Sequence, residues 1–446
     1  MASSPWSEKH INLQLGWPSP SLFPSEALAK AAQSILLDPE VAAQSLVYGP
    51  DPGHQDLRTS LAAWLTRFYK PGAGEISPHR LFVTNGASAA LGMLLSRFTN
   101  PNYTKNIWMV EPTYFLACPS FQDAGFAGRL RGVPEDDEGI DIGFLRRSLV
   151  EAEKNVLDNQ ADVLPCSRTR IYRHIFYVVP TFSNPSGKVM SRQRRTQLVQ
   201  LAREFDACNI ADDVYDWLRW SGNEMATDIE LAAPLPRLVD IDRILPGASP
   251  WGNAISNGSF SKIVAPGVRV GWVEGSPLVS ADLCKVGAVV SGGSQAHLSS
   301  MLISHLLKSG AIETHIQDTL IPTYRRRYHA IIKSIRINLG PLGVTIVPHG
   351  MAEVGKADVA GGFFLFLRFA EHTPPLSEIA EHALTHHDLR IAHGDLMAVW
   401  GDTDSLARAK RSYGQGARLC WAWHSEEEID EGIQRLAVAI KTLRRA

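Results

Sequence analysis

The sequence predicts an α/β protein, with a mostly parallel sheet flanked by helices and then a smaller α+β part. Three observations carry that expectation. Short apolar runs alternate with helix-period stretches through the middle of the chain. The last third changes character, to a basic helical stretch, two strand-like runs and a capped helix. The composition is that of an ordinary globular chain, 45% hydrophobic and 20% charged over 446 residues. That excludes wholesale disorder and a collagen-like chain.

Taken in order, Leu81, Phe82 and Val83 form the first apolar run, which stops at the turn signal Asn85-Gly86. Leu91, Leu94, Leu95 and Phe98 follow at the spacing of one helix face. Residues 107–110 and 175–179 are further buried-type runs, the second closed by Pro180. Ser191 is placed to cap a helix carrying Leu198, Leu201, Ala202 and Phe205. Residues 208–211 read as a short strand, and residues 268–273, interrupted by Arg269 and Gly271, as a weaker one. Further on, residues 322–339 read as a helix, and 361–367 and 418–421 as strands. Ser425 with Glu428 reads as a capping box ahead of Ile429, Ile433, Leu436 and Ile440. Residues 350–360 read as a surface insertion.

Charge and cysteine usage narrow the partners. Lys plus Arg is 44 and Asp plus Glu is 46, a net charge of −2. No basic excess draws the chain to nucleic acid or an anionic membrane. The five cysteines are scattered, with no CxxC pair, which argues against a disulfide framework or a zinc site. The N-terminus has no secretory pattern, and no apolar run approaches about 18 residues. The expectation is a cytoplasmic protein acting on a small molecule. His382, His386, His387 and His393 read as a solvated helix face without a metal, and Arg325 to Arg327 as a solvated basic face. Gly72 and Gly74 read as a loop.

Four places carry candidate chemistry. Lys262 sits in Ser259-Phe-Ser261-Lys262, followed by Pro266-Gly267 and Arg269. Serines and an arginine within reach of one another make a phosphate site, and a lysine there is a phosphate binder or a Schiff-base amine. Asp212 ends a predicted parallel strand, where open α/β sheets bind ligands; it reads as a helix cap or as an acid facing a cationic ring nitrogen. Tyr215 lies three residues further on. Asn184, in Asn184-Pro185-Ser186-Gly187, reads as a tight turn at the same sheet edge. Gly86-Ala87-Ser88 opens a helix directly after a strand, where backbone amides bind phosphate.

The set in this order, together with Pro112-Thr113-Tyr114, resembles the class I/II aminotransferase family. These are pyridoxal-phosphate enzymes of fold type I, with a large domain built on a mostly parallel seven-stranded type of sheet. The resemblance runs from about Leu13 to the C-terminus. It is nearest to the 2-aminoadipate and aromatic aminotransferase-like branch, including its fungal members. It implies a large domain over residues 46–319, and a small α+β domain over 320–446 joined by the arm 1–45.

The resemblance also implies roles. Lys262 would hold pyridoxal 5'-phosphate as a Schiff base and shuttle the proton. Asp212 would keep the ring nitrogen protonated, Tyr215 and Asn184 would bond the ring oxygen, and Tyr114 would stack on the ring. Gly86, Ala87, Ser88, Ser259, Ser261 and Arg269 would hold the phosphate, Ala87 through its backbone alone. Tyr48 would reach the partner subunit's phosphate, making the site shared in a homodimer. Arg418 would grip the substrate α-carboxylate, with Asn184 and the loop residue Gly16 beside it. Burial and the charge of Arg269 would lower the lysine's pKa. Ser186 stands where threonine is usual. The implied reaction moves an amino group between an L-α-amino acid and a 2-oxo acid. The alternatives are decarboxylation, elimination, substitution or C–C bond formation on the same scaffold, and, from another class, a non-catalytic regulatory module.

Overall fold

The computed structural model describes residues 9–154, 170–225, 232–233, 235–348, 359–370 and 373–445. A large sheet runs through the middle of the chain. Its strands are β1 (Leu81–Thr84), β2 (Asn106–Glu111), β3 (Leu130–Asp136), β4 (Gly139–Ile140), β5 (His174–Val178), β6 (Ala207–Asp212), β7 (Ala254–Ser259) and β8 (Gly271–Glu274). They lie in the order β1-β8-β7-β6-β5-β2-β3-β4. The run from β7 through β6, β5 and β2 to β3 is parallel; β8 is antiparallel to both its neighbours, and β4 folds back on β3 as a two-residue edge.

Alternation along the strands feeds two cores. Ile175 and Tyr177 of β5 pack with Leu91, Leu94 and Phe98 of helix Ala87–Phe98 on one face. Phe176 and Val178 pack with Leu198, Leu201 and Ala202 of helix Arg192–Glu204 on the other. Successive strand side chains point to opposite faces, so a run buried throughout implies helices on both. Ser191 caps the second helix, its Oγ accepting from the Arg194 N–H at 3.1 Å.

A second sheet is antiparallel. It consists of β9 (Thr345–Ile346), β10 (Phe364–Arg368), β11 (Ala392–His393) and β12 (Gly416–Cys420), in the order β9-β10-β12-β11. Helices Ile321–Asn338, Leu376–His387 and Glu426–Arg445 pack around it. The capping box is present: the Ser425 N–H donates to Glu428 Oε2 and the Glu428 N–H to Ser425 Oγ, each at 3.3 Å. Residues Ile11–Asn12 run parallel to Leu389–Arg390, and the Cys420 N–H donates to the Leu13 carbonyl at 2.7 Å. The N-terminal arm is thereby tied to this second sheet.

Several expectations need correction. Strands β3 and β7 were not expected. β7 reads Ala-Ile-Ser-Asn-Gly-Ser, yet it is buried along its whole length, because its polar side chains bond inside the fold. The expected strand over 361–367 is two pieces. Val359–Gly361 pairs with Arg219–Ser221, and β10 starts at Phe364; Gly362 turns between them at φ +68°. Ala360 is buried, so the end of the expected insertion belongs to the fold, while residues 350–358 lie outside the described residues. The weak strand over 268–273 begins only at Gly271, since Pro266–Val268 form a 3-10 turn and Arg269 is left-handed at φ +51°. Arg327 is buried, donating to the Ala422 carbonyl at 2.5 Å, so it is no part of a solvated face.

Candidate active site

The ends of β5, β6 and β7 and the start of helix Ala87–Phe98 meet the second sheet and the N-terminal arm around one cavity of about 470 Å³. This is the carboxyl edge of the parallel strands, the binding edge of open α/β sheets. Every residue expected from the sequence to hold cofactor or substrate lines it, except Gly86 and Tyr48.

One end is built to hold an anion. No side chain among the described residues caps helix Ala87–Phe98, so its first backbone N–H groups stay available. Gly86 precedes it at φ +88°, and a Cβ there would stand 2.7 Å from Arg269 Nη2. Glycine therefore lets the guanidinium lie across the helix start. Arg269 is held by the Pro266 carbonyl at 3.1 Å and the Asn85 carbonyl at 3.0 Å. Ser259 and Ser261 share a hydroxyl contact of 2.9 Å beside it. The Asn257 side-chain amide donates to the Ala87 carbonyl at 3.0 Å and ties β7 to the helix.

The middle holds an acid and an amine. Asp212 ends β6; Tyr177 donates to its Oδ2 at 2.8 Å, and its buried Oδ1 has no partner among the described residues. Burial pushes the carboxyl up to about 6, against the pull of the Tyr177 hydroxyl and the charge of Lys262. Lys262 keeps part of its side chain open to the cavity, but its amine lies deep and donates to the Gly16 carbonyl at 2.8 Å. Burial brings that amine down to about 8. Cys420 and Asp212 push it back up, and Arg418 lowers it further. The expected cationic neighbour was Arg269; the structure places Arg418 in that part instead.

The far end is set by Arg418, in the middle of β12 and 5% exposed. Its Nη1 donates to Asn184 Oδ1 at 2.7 Å, its Nη2 to the Gln14 carbonyl at 2.6 Å, and the guanidinium carbon lies 4.4 Å from the Phe364 ring centre. Arg418 takes the oxygen of Asn184, which leaves that amide's NH2 as its donor. Tyr215 packs its ring 5.6 Å from Phe363 and 5.9 Å from Phe364. Tyr114 lines the same wall; burial and Asp212 raise its hydroxyl pKa. Tyr48 stands away from the cavity, 83% exposed beside the exposed Leu46 and Val47.

Sequence reasoning missed Tyr177, Gln14, Asn257 and Phe364. The first carries a signal, a hydroxyl within a strand buried on both faces, which must find a partner. Gln14 contributes its backbone carbonyl, and no residue-type pattern marks that.

A buried amine, a buried acid, an uncapped helix start beside an arginine, and a second, buried arginine thus meet at the carboxyl edge of a doubly wound sheet. Comparison with known proteins gives the class. The family model described as "Aminotransferase class I and II" matches residues 9–436. The chain is 31% identical over 459 residues to the uncharacterized protein YER152C of Saccharomyces cerevisiae, covering 97% of each chain. It is 28% identical to aromatic-amino-acid aminotransferase 1 of Thermococcus litoralis, covering 97% of this chain and 88% of that protein. Among solved structures it is similar to the multiple substrate aminotransferase of Thermococcus profundus, at 26% identity and a TM-score of 0.75, covering 99% of this chain and 93% of that one. The chain belongs to the aminotransferase class I and II family. It is a pyridoxal-phosphate-dependent transferase that moves an amino group between an amino acid and a 2-oxo acid.

Proposed function

We propose that pyridoxal 5'-phosphate is held in this cavity by the residues just described, and that Lys262 is the catalytic amine. One observation carries the reading: a buried acceptor without a donor, Asp212 Oδ1, faces the same cavity as a set of donors without an acceptor at the start of helix Ala87–Phe98. The backbone amides of Ala87 and Ser88, the hydroxyls of Ser259 and Ser261, and Arg269 would hold the phosphate, and Asp212 Oδ1 would accept from the protonated ring nitrogen. Bound there, the cofactor supplies an aldehyde for amines and an electron sink for the substrate Cα.

The chain's own residues do the rest. Asp212 is aimed by Tyr177, and a cationic N–H against Oδ1 pulls its raised pKa back down and keeps it ionised. Lys262, near 8, is partly unprotonated at neutral pH, so it can attack a carbonyl and then carry the proton taken from Cα. Arg418 exchanges its contacts with the Gln14 carbonyl and Asn184 for the substrate α-carboxylate, a bidentate pairing that fixes the substrate's orientation. The Gly16 carbonyl holds the Lys262 amine in place at the same cavity.

The loaded enzyme mixed with one amino acid is expected to release the matching 2-oxo acid stoichiometrically, and then to turn a second 2-oxo acid into its amino acid. Release of carbon dioxide or ammonia in place of the 2-oxo acid assigns the chain to one of the other reactions. Lys262→Ala should abolish both half-reactions.

The reading also includes a homodimer with shared sites. It is supported by the exposed apolar run Leu46, Val47 and Tyr48. Mixing Tyr48→Ala and Lys262→Ala proteins, with subunit exchange, should yield hybrids with more activity than either parent. It further divides the chain into a large domain, 46–319, and a small one, 320–446 with the arm. Each part has its own sheet in support. A cytoplasmic location is supported by the unpaired cysteines Cys118, Cys208, Cys284 and Cys420.

A further inference from the structure

Two cations of the cavity rest on adjacent aromatic rings. The Arg418 guanidinium lies over Phe364, and the Lys262 Nζ lies over the ring of Phe363, 5.5 Å from its centre. A cation within about 6 Å of a ring is attracted by its negative face, the more strongly where water is excluded. Phe363 is fully buried. Neighbouring residues of a strand point to opposite faces, but β10 begins only at Phe364, so Phe363 escapes that alternation and meets the amine.

The ring cannot easily move. Tyr324 lies 5.2 Å from it, Tyr215 5.6 Å and Phe364 6.3 Å, centre to centre. Its backbone is tied as well: the Gly362 N–H donates to the Leu218 carbonyl at 2.8 Å, and the Phe363 carbonyl accepts the Trp421 N–H at 3.3 Å. The other groups facing the amine are the Gly16 carbonyl, Asp212, Cys420 and Arg418. Burial pushes the Cys420 thiol up, so it stays neutral, and Arg418 repels a cation. With Asp212 engaged by the ring nitrogen, the Gly16 carbonyl and the Phe363 ring are the groups among the described residues left to favour a charged amine.

We propose that Phe363 is a positioning residue for Lys262: its ring holds the amine in the ammonium form, and so favours the charged lysine between taking a proton from the substrate Cα and handing it on. This rests on the reading of Lys262 as the catalytic amine. A weaker hold makes the amine a weaker base toward Cα.

Fluorine draws charge from the face of a phenyl ring while changing its size little, so it separates attraction from packing. Phenylalanine bearing one, two or three ring fluorines is placed at residue 363 alone. In the cofactor-free protein, the pH dependence of Lys262 acetylation, read by mass spectrometry of its peptide, gives the amine's pKa. Each added fluorine should lower it, by about half a unit to one unit over the series, while the unfolding midpoint stays nearly unchanged. Phe363→Leu should lower it by at least as much. In the loaded enzyme, the single-turnover rate of Cα proton loss should fall about two- to threefold over the same series. An amine pKa that stays put, or moves out of step with the fluorine count, overturns the proposal. Failure of borohydride to fix the cofactor on Lys262 would instead overturn the reading of the catalytic amine, and the proposal with it, whatever the series shows.

Discussion

Two groups in the cavity are held away from their ordinary ionisation, and each has a consequence for the cofactor-free protein. Asp212 is raised to about 6 from 3.8. Between those values the folded state binds the extra proton, so this residue's contribution to stability falls as pH rises through the window. Lys262 is lowered to about 8 from 10.5. Between those values the unfolded state binds the extra proton, so stability rises with pH there, and below about 8 the full cost of the buried ammonium is present. At pH 7 both Asp212→Asn and Lys262→Met should therefore raise the melting temperature of the cofactor-free protein, each by on the order of a few kcal/mol of stability. The lysine variant's gain should shrink above pH 8, and the aspartate variant's gain should vanish below about pH 4. Flat pH profiles of these gains would contradict the burial argument. The two charges face each other, so the double variant should gain less than the sum. Tyr177→Phe removes the donor to Oδ2; turnover should drop about tenfold and cofactor affinity should weaken. Lys262, Asp212 and Arg418 could be singled out from short motifs, and the fold brings them to one cavity. Tyr177 could not, since its contact with Asp212 depends on who its neighbours are.

At the scale of elements, polar packing positions the site from behind. Arg195, on helix Arg192–Glu204, is 1% exposed and donates to the carbonyls of Met190 and Pro180 and to Thr181 Oγ1. It braces the loop that carries Asn184. Arg195→Ala strips a donor from each of these buried acceptors, leaving the Pro180 carbonyl only the Met190 N–H, and should cost about 3–5 kcal/mol in denaturant unfolding. At the other loop, Gly86→Ala forces a left-handed alanine and drives a methyl into Arg269. Cofactor affinity, read by titration, should fall while the unfolding midpoint moves by only about 1–2 kcal/mol. Strands with apolar runs and helices with caps were readable in the sequence. Strand β7 was not: Ser256 and Asn257 look like loop residues until Ser256 is seen donating to Asp213 at 2.5 Å and Asn257 to the Ala87 carbonyl. A polar strand is stable in a core only when the fold supplies its partners.

At the scale of the whole molecule, the cavity is an assembly of distant parts. Lys262 is bonded to a carbonyl 246 residues away, and Arg418 to an amide 234 residues away. The arm is what joins them, so deleting residues 1–17 should raise KM for amino acid more than about tenfold, with the loaded enzyme's far-ultraviolet circular dichroism little changed. Loss of the fold instead would make the arm structural. The sequence by itself determined the class of fold and singled out an amine, an acid and two arginines that meet at one cavity, because periodicity and local motifs are properties of neighbours along the chain. Only the tertiary structure decided which oxygen of Asp212 is free, which cation lowers Lys262, and that Phe363 lies beneath that amine. Desolvation, charge and hydrogen bonding act through space, over distances that the chain order does not encode.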